Sequence, residues 1–209
     1  MKVVSTNIGN SRTVVWNKEE VTTGIFKNPV DEPIYLGAED VVDDSVIDRK
    51  YHGGVDKACY IFSTDHYPDW QARYPYLEWS YGMFGENLTI KGLDEQKIRI
   101  GDIFDLGEAK VQVSEPRQPC FKLNIRFNSK ETIKQFVAYQ RSGCYLRVIK
   151  PGMVENGDEM TLIESNPESL TVFETFKLIF SKNKSQELVD RAIADPFLAE
   201  STKEKFRVS

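Results

Sequence analysis

The sequence predicts a mainly β protein, a β-barrel with inserted helices that is followed by a small helical appendage. Short apolar segments separated by turn residues fill the first 165 residues, two helical segments interrupt them, and helical spacing replaces strand spacing afterwards. Many short strands with few helices favour a closed or folded-over barrel over a doubly wound sheet. We therefore expect a barrel domain over residues 1–165 and a three-helix domain over residues 166–209.

The predicted strands are short and end at turn residues. Val111 and Val113 alternate with Gln112, which is the period of a half-buried strand. Gly101-Asp102 and Gly157-Asp158 indicate tight turns, because glycine tolerates a positive φ and aspartate bonds its own backbone. The predicted strands are KVVSTNI, RTVVW, GIFK, PIYLG, SVID, ENLTIKG, KIRIGDIFDLG, AKVQVSEP, GCYLRVIKPG and DEMTLIES.

Two helices are predicted inside the barrel region. Residues 63–75 begin at an N-cap residue, either Ser63 or Thr64, and end at a proline. Residues 129–143 carry apolar side chains three and four positions apart, and Gly143 ends that pattern. Both segments therefore interrupt the run of strands.

Three further helices are predicted in the last ~40 residues. Thr171 and Glu174 form a capping box at the start of the first helix. Ser185 begins the second helix, Asp195-Pro196 ends it, and residues 198–206 form the third. A unit this small is not stable alone, so we expect it to dock on the barrel.

The composition narrows the function classes. The chain has 209 residues, a net charge of -5 and a pI near 5.2, which argues against a general nucleic-acid binder. The sequence shows neither a signal-peptide apolar region nor an apolar run of membrane-spanning length, so no membrane partner is expected. Three cysteines at separated positions indicate a reducing, cytoplasmic setting.

Residues 114–124, SEPRQPCFKLN, place a cysteine in an unusual setting. Two prolines stiffen the chain before Cys120 and remove backbone donors, so neither a regular strand nor a helix is expected there. The positive charges of Arg117 and Lys122 favour the thiolate form of Cys120. A thiolate can attack an electrophile or bind a soft metal.

The other thiols and the histidines are weaker candidates. Cys59 and Cys144 lie in predicted apolar strands, where cysteine usually acts as a small buried hydrophobe. His66 falls in a predicted helix and is expected to be structural or exposed. With His52 the only other histidine, no zinc site is predicted.

A basic cluster surrounds two glycines in residues 47–60, IDRKYHGGVDKACY. Glycines let backbone N–H groups approach an oxyanion, and basic side chains add charge, so the cluster indicates a phosphate-bearing ligand. An ordinary Gly-Gly turn with solvated charges, offset by Asp48 and Asp56, is the alternative. The glycine spacing matches neither the P-loop nor the dinucleotide fingerprint. The cluster comprises Arg49, Lys50, His52, Gly53, Gly54 and Lys57.

Taken together and in order, DRKYHGGVDKACY, FGENLTI, IRIGDIF, EPRQPCFKLN and GCYLRVIKPGMVENGD resemble the MOSC superfamily, named for the C-terminal domain of molybdenum cofactor sulfurase. The chain looks closest to the YiiM-like branch, and the resemblance covers nearly all of it. It implies a MOSC-type (pyruvate-kinase-like) β-barrel followed by three helices. Two positions depart from what we expect of relatives: residue 144 is Cys in place of a larger aromatic residue, and residue 51 is Tyr.

The resemblance implies that the ligand is molybdenum cofactor (molybdopterin) and that Cys120 is a protein ligand to molybdenum. It implies a reductase of N-hydroxylated compounds such as hydroxylaminopurine-type bases, which detoxifies them. Pyridoxal phosphate is not expected. The cluster from Arg49 to Lys57 would hold the pterin and its phosphate, and Arg117, Lys122 and Asn124 would hold the polar edge or orient substrate.

Arg147 is a further candidate, because a strand arginine that points inward needs an anionic or polar partner; the alternative is an outward arginine. No flavin, haem or iron–sulfur motif is present, so a separate electron-donor reductase is implied. Two other function classes stay open: a cofactor carrier or cysteine-persulfide sulfur-transfer protein, and a plain phosphate-ligand binding domain.

Overall fold

The computed structural model describes residues 1–207, which contain twelve strands and seven α-helices. The strands are β1 Lys2–Gly9, β2 Arg12–Trp16, β3 Glu19–Thr23, β4 Lys27–Val30, β5 Ile34–Leu36, β6 Cys59–Ser63, β7 Leu88–Lys91, β8 Ile103–Leu106, β9 Ala109–Pro116, β10 Cys144–Lys150, β11 Gly152–Val154 and β12 Met160–Glu164. The helices are α1 Arg49–His52, α2 Tyr67–Arg73, α3 Phe121–Arg126, α4 Thr132–Tyr139, α5 Val172–Phe180, α6 Gln186–Ala194 and α7 Glu200–Arg207.

Eight strands form the main sheet in the order β12-β8-β9-β10-β6-β7-β1-β4. All neighbouring pairs are antiparallel except β6 and β7, which run parallel. Two small antiparallel pairs, β2 with β3 and β5 with β11, lie beside it. The fold is therefore dominated by sheet, with several helices packed against it.

The barrel, predicted as closed or folded-over, is not closed among the described residues, because the sheet ends at β12 and β4. Thr6 to Gly9 of β1 pair with β4, so this half of the strand cannot pair with β12. Only the start of the chain reaches β12: the Met160 amide donates to the Met1 carbonyl at 3.0 Å, the Val3 amide donates to the Asp158 carbonyl at 2.9 Å, and Lys2 forms an isolated β-bridge with Glu159. The sheet therefore curls strongly without closing its ladder.

Most predicted strands form, and the differences have local causes. SVID is an irregular segment, because Ser45 and the Asp44 carboxylate both bond the backbone of Gly9 instead of joining a strand. GIFK becomes a strand only from Lys27 onward. Strand β3 was not expected; its hairpin with β2 turns at Asn17 and Lys18, both at positive φ, as a two-residue hairpin requires.

The helices inside the sheet region also differ in detail. The segment predicted over residues 63–75 forms a 3-10 turn and α2, and the Ser63 side chain accepts the Asp65 N–H. Helix α4 is shorter than expected, because Gln140 adopts the left-handed conformation (φ 59°) before Gly143 is reached. Helix α3 was not expected; it begins immediately after Cys120.

Three helices, α5 to α7, follow the last strand, and the Thr171–Glu174 capping box is present. Backbone bonds tie this segment to the sheet region: the Val172 amide donates to Ile98 at 3.0 Å and the Ala199 amide donates to Ser114 at 3.1 Å. The division into domains at residues 165 and 166 stays a prediction, and residues 208 and 209 lie outside the described part. Each described helix is too short or too polar to cross a membrane.

Two apolar clusters flank this framework. One packs sheet residues such as Val113 and Leu146 with residues of α5 to α7 such as Val172 and Phe206. The other is aromatic and surrounds the fully buried Trp70 of α2. The aromatic cluster includes Tyr60 and Tyr145, so the core extends directly to the wall of the cleft described below.

Candidate functional site

An open cleft of about 620 Å³, part of it open to solvent, lies beside Cys120. Its walls come from several parts of the chain: residues 23–27, residues 44–48, the two ends of the turn at residues 52–58, residues 85–87, and the loop that follows β9. The lining side chains include Lys27, Asp44, His52, Lys57, Tyr60, Asn87, Arg117, Cys120, Lys122 and Tyr145.

Cys120 is the N-cap residue of α3 and is partly exposed in the cleft. Its backbone is extended (φ -117°, ψ 170°), and its carbonyl accepts the Leu123 N–H at 2.9 Å. The preceding proline cannot donate a hydrogen bond, so the chain leaves β9 without continuing the ladder. This local geometry presents the thiol to the cleft.

The prediction that Cys59 and Cys144 are buried core residues is confirmed. Both lie in central strands of the main sheet with no exposed surface. Burial raises the pKa of the Cys59 thiol to about 12 and raises the pKa of Cys144 well above its ordinary value. Cys120 is therefore the one thiol in residues 1–207 that is exposed enough to react or bind a ligand.

Arg117 lies buried in the cleft wall, with 5% of its surface exposed. Its Nη1 atom has no hydrogen-bond acceptor among residues 1–207, and no carboxylate there forms an ion pair with it. Its guanidinium carbon lies 5.1 Å from the centre of the Tyr60 ring and 5.7 Å from that of Phe136. A buried cation without a counter-charge is costly, so the cleft is suited to an anion.

The structure brings only part of the predicted basic cluster to the cleft. His52 and Lys57 line it, whereas Arg49 and Lys50 do not. The Arg49 guanidinium pairs instead with Asp40 at 2.7 Å, and Lys50 lies over the ring of Tyr51. Helix α1 is a single turn, so its successive side chains point in different directions and cannot all face one ligand.

The two glycines differ in their conformations. Gly53 is extended, a conformation open to any residue, whereas Gly54 has a φ of 92° that favours glycine. A side chain added at Gly54 would meet no atom within 4 Å. Glycine is required there for its backbone conformation, which turns the chain from α1 into the 3-10 turn that carries Lys57.

His52 contributes a neutral ring at pH 7. Burial lowers its pKa to about 4, and the positive charges of Arg117 and Lys122 act in the same direction. An imidazole in this state can accept one hydrogen bond and donate another. His52 therefore supplies hydrogen bonding to the cleft instead of charge.

The two lysines of the predicted set have different surroundings. The Lys57 ammonium is 2.8 Å from Oε1 of the buried Glu115 and 3.2 Å from the Ser201 hydroxyl, so its charge is largely compensated. Lys122 lines the cleft and has no ion-pair partner in the described part of the chain. The uncompensated positive charge of the cleft thus comes from Arg117 and Lys122.

Two predicted site residues lie away from the cleft lining. The Asn124 side chain accepts the Ile133 N–H at 3.0 Å, and this contact connects α3 to α4. Arg147 is 2.5 Å from Asp56 and also donates to Gln112 and to the Phe197 carbonyl. Both side chains are occupied in holding the framework behind the cleft.

The sequence reasoning missed a buried ion pair in the cleft wall. The Lys27 ammonium is 2.5 Å from the Asp44 carboxylate, which also accepts from the Asn87 amide at 3.0 Å. These residues are widely separated in sequence, and only Asn87 lies in a quoted motif, FGENLTI. The feature that marks this pair is the burial of Lys27 in an edge strand. That burial is visible only in the folded chain.

Comparison with known proteins gives the family. Residues 48–161, more than half of the chain, match the model of the MOSC domain. The crystal structure of YiiM from Geobacillus stearothermophilus superposes with a TM-score of 0.83 at 31% identity, covering 99% of this chain and 97% of that one.

Two sequence relatives agree. The uncharacterized protein YflK from Bacillus subtilis is 34% identical over 204 residues, which is 98% of this chain and 92% of YflK. A protein named "Reductase" from Gibberella moniliformis is 36% identical over 173 residues, which is 81% of this chain but only 31% of that protein. The chain therefore belongs to the MOSC domain family, among its YiiM-like members.

Proposed function

We propose that this protein binds molybdenum cofactor in the cleft and reduces N-hydroxylated compounds, with Cys120 as a ligand to molybdenum. One observation carries the proposal: the single exposed thiol of residues 1–207 and a buried arginine without a counter-charge line the same cleft. Membership of the MOSC family supports a function related to molybdenum cofactor.

The residues present fit this cofactor. Thiolate is a soft ligand of the kind that suits a soft metal centre, and Cys120 offers it at the cleft surface. The orphaned Nη1 of Arg117 and the unpaired Lys122 ammonium offer donors and charge for a phosphate-bearing pterin.

Each cleft residue has a distinct role in the proposal. Arg117 and Lys122 hold anionic groups, the neutral His52 accepts or donates one hydrogen bond, and Lys57 stays fixed by Glu115. Arg49 and Lys50 are left out of the binding role, because neither lines the cleft. The prolines before Cys120 limit the movement of the loop and hold its thiol in one place.

When bound, the cofactor would supply the two-electron redox chemistry by which an N–OH group becomes an N–H group and water. The balanced reaction consumes two electrons and two protons for each substrate. The chain itself provides binding, orientation and a charged environment. Hydroxylaminopurine-type bases are the proposed substrates, so the proposed role is detoxification of such compounds.

The electrons must come from another protein in this proposal. The three cysteines are free and separated, and residues 1–207 hold no cluster of His, Cys, Asp and Glu that would bind a metal ion. A separate electron-donor reductase is therefore the proposed partner. The relative named "Reductase" is about three times longer than the region it shares with this chain.

The free cysteines also suit a cytoplasmic location.

A second candidate function rests on the same thiol. A cysteine beside a buried cation can hold a persulfide as well as a metal, so a cofactor carrier or sulfur-transfer protein is the alternative. In that case Cys120 would bind cofactor or sulfur without turnover of an N–OH substrate.

Elemental analysis tests the proposal. Protein purified from a host that makes molybdenum cofactor should contain close to one molybdenum per chain, and Cys120→Ser should lose it. Cys59→Ala, which removes a buried thiol remote from solvent, should keep the metal and serves as the matched control. Absence of molybdenum together with one added sulfur atom on Cys120 would favour sulfur transfer.

A turnover assay then distinguishes a reductase from a cofactor carrier. Metal-loaded protein is given an artificial electron donor and several N-hydroxylated bases, and amine formation is measured. Amine formation that depends on Cys120 supports the reductase. Metal-loaded protein that reduces none of these substrates would refute the reductase and leave the carrier.

A further inference from the structure

Helix α7 lies against the back of the cleft, where it contacts Lys57 and the chain just before Cys120. Lys205 lies three positions after Thr202 and four after Ser201, so its side chain is a neighbour of both on the helix surface. Their partners either line the cleft or lie directly behind its lining. These partners are Lys57, Glu115 and Gln118.

Glu115 is the buried centre of these contacts, with 1% of its surface exposed. One carboxylate oxygen is 2.8 Å from the Lys57 ammonium, and the other accepts the hydroxyl of Thr202. A carboxylate this deeply buried is tolerated only with such partners, so it holds both of them in place. Ser201 adds a second contact to Lys57 at 3.2 Å.

Gln118 connects α7 to the loop that carries Cys120. Its amide N–H donates to the Thr202 hydroxyl oxygen at 3.1 Å, and its amide oxygen accepts from Lys205. It lies two residues before Cys120, between the two prolines. Thr202 therefore bonds both the strand end at Glu115 and the loop at Gln118 with one hydroxyl group.

The position of α7 is itself fixed by independent contacts. The Ala199 amide, just before the helix, donates to the Ser114 carbonyl of β9 at 3.1 Å. Arg147 joins Asp56, next to Lys57, to the Phe197 carbonyl, at 2.5 Å in each case. The helix thus has a set distance from the strand and turn that its side chains hold.

We propose that Thr202 is a positioning residue, and that α7 sets where the Lys57 ammonium and the Cys120 loop lie relative to each other. Removal of the Thr202 hydroxyl leaves Gln118 with Lys205 alone and Glu115 with one partner fewer, so the loop opens more often. The effect of Thr202 on catalysis rests on the proposed function. Its hydrogen bonds to Glu115 and Gln118, which we call the clamp, can be tested without any cofactor.

The test compares three variants of the full chain. Thr202→Val keeps the shape of a fully buried side chain and removes its hydroxyl, and Thr202→Ser restores the hydroxyl. Thr175→Val is the matched control: Thr175 is equally buried in α5, and its hydroxyl bonds only the Thr171 carbonyl of its own helix. Gln118→Ala removes the loop side of the clamp and serves if Thr202→Val does not fold.

Hydrogen exchange of residues 115–123 and the rate of Cys120 alkylation by iodoacetamide are measured on cofactor-free protein. Thr202→Val should speed both by about threefold to tenfold, the effect of losing one or two hydrogen bonds on local opening. Thr202→Ser should restore them, and Thr175→Val should leave this segment unchanged even if it lowers global stability. The buried Cys59 and Cys144 report global opening and should stay unlabelled.

Unchanged exchange of residues 115–123 in Thr202→Val, or an equal change in Thr175→Val, would overturn the proposal. Molybdenum content gives the link to function, since Thr202→Val should retain less metal than Thr202→Ser. If wild-type protein binds no molybdenum, the proposed function fails while the exchange result still decides the clamp. Faster exchange with full metal retention would show a clamp with no effect on the cofactor, which contradicts the positioning role.

Discussion

The guanidinium carbon of Arg117 lies 5.1 Å from the centre of the Tyr60 ring, in a wall of the cleft where no carboxylate of the described chain neutralises it. The folded protein therefore keeps a charge whose compensation has to come from a ligand. Arg147, by contrast, has Asp56 as its partner at 2.5 Å. The buried Arg117 and the half-buried Arg147 should therefore respond differently to substitution.

Replacing Arg117 should separate binding from stability. Arg117→Met removes a buried charge with no carboxylate partner, its hydrogen bond with Tyr145 and some ring contact, so the gain and losses nearly cancel and the free energy of unfolding should stay within about 1 kcal/mol of wild type. Molybdenum content should fall sharply. Arg147→Met is the control: it leaves Asp56 without its ion-pair partner and should lower the free energy of unfolding by about 1–3 kcal/mol. Urea unfolding and metal analysis measure both; a large stability loss in Arg117→Met would contradict this assignment.

The three thiols should differ in reactivity. Iodoacetamide at pH 8 should modify Cys120 in the native protein within minutes to hours, because Cys59 and Cys144 are fully buried and burial raises the pKa of each. Mass spectrometry should show one adduct on native protein, none on Cys120→Ser, and three on protein unfolded in guanidinium. Native labelling at Cys59 or Cys144 would show that the sheet opens locally.

The partly buried His52 should make the protein less stable in mild acid. Its pKa is about 4 in the folded state, below the ordinary value of 6.5, so the unfolded state binds more protons between these two values. The free energy of unfolding should therefore fall as the pH is lowered from about 6.5 toward 4, by about 1–3 kcal/mol from this residue.

Urea titrations at several pH values, on wild type and His52→Gln, measure this loss. The neutral glutamine cannot take up the proton, so the stability difference between the two proteins should change over that pH range. The matched variant His66→Gln keeps His52 and should keep the effect. Parallel pH profiles for wild type and His52→Gln would refute the assignment.

The Lys27–Asp44 pair should be strongly coupled, since both side chains are under 10% exposed. Lys27→Met and Asp44→Asn should each cost about 3–5 kcal/mol, because each leaves the other group buried without its partner. The double variant should cost about 2 kcal/mol less than the sum of the two. A double-variant cycle in urea measures this coupling, and simple additivity would show that solvent already screens the pair.

Local chemistry made much of the fold predictable. The Gly101 and Gly157 turns, the Ser63 cap, the Thr171–Glu174 capping box and the buried cysteines form as expected, because each depends on neighbours a few residues away. The order of the main sheet and its open ladder were not predictable. They depend on which strand β1 pairs with along each half, and strand pairing is a long-range competition.

The same division holds for the cleft. Cys120, Arg117, His52, Lys57 and Lys122 could be selected from two short motifs, because a cysteine after proline and a basic Gly-Gly turn are rare local patterns. Arg49 and Lys50 carried the same local signal and point elsewhere. Charge is a property of the residue type, whereas the direction of a side chain depends on the helix turn that carries it.

The sequence by itself determined that the chain carries one thiol in a stiff, positively charged loop and a basic turn suited to phosphate. Only the tertiary structure decided that Arg117 is buried without a counter-charge, that Glu115 compensates Lys57, and that Thr202 of α7 bonds both Glu115 and the Cys120 loop. Burial and compensation arise where segments distant in sequence meet, because a charge is stabilised or left unpaired by what packs against it in space.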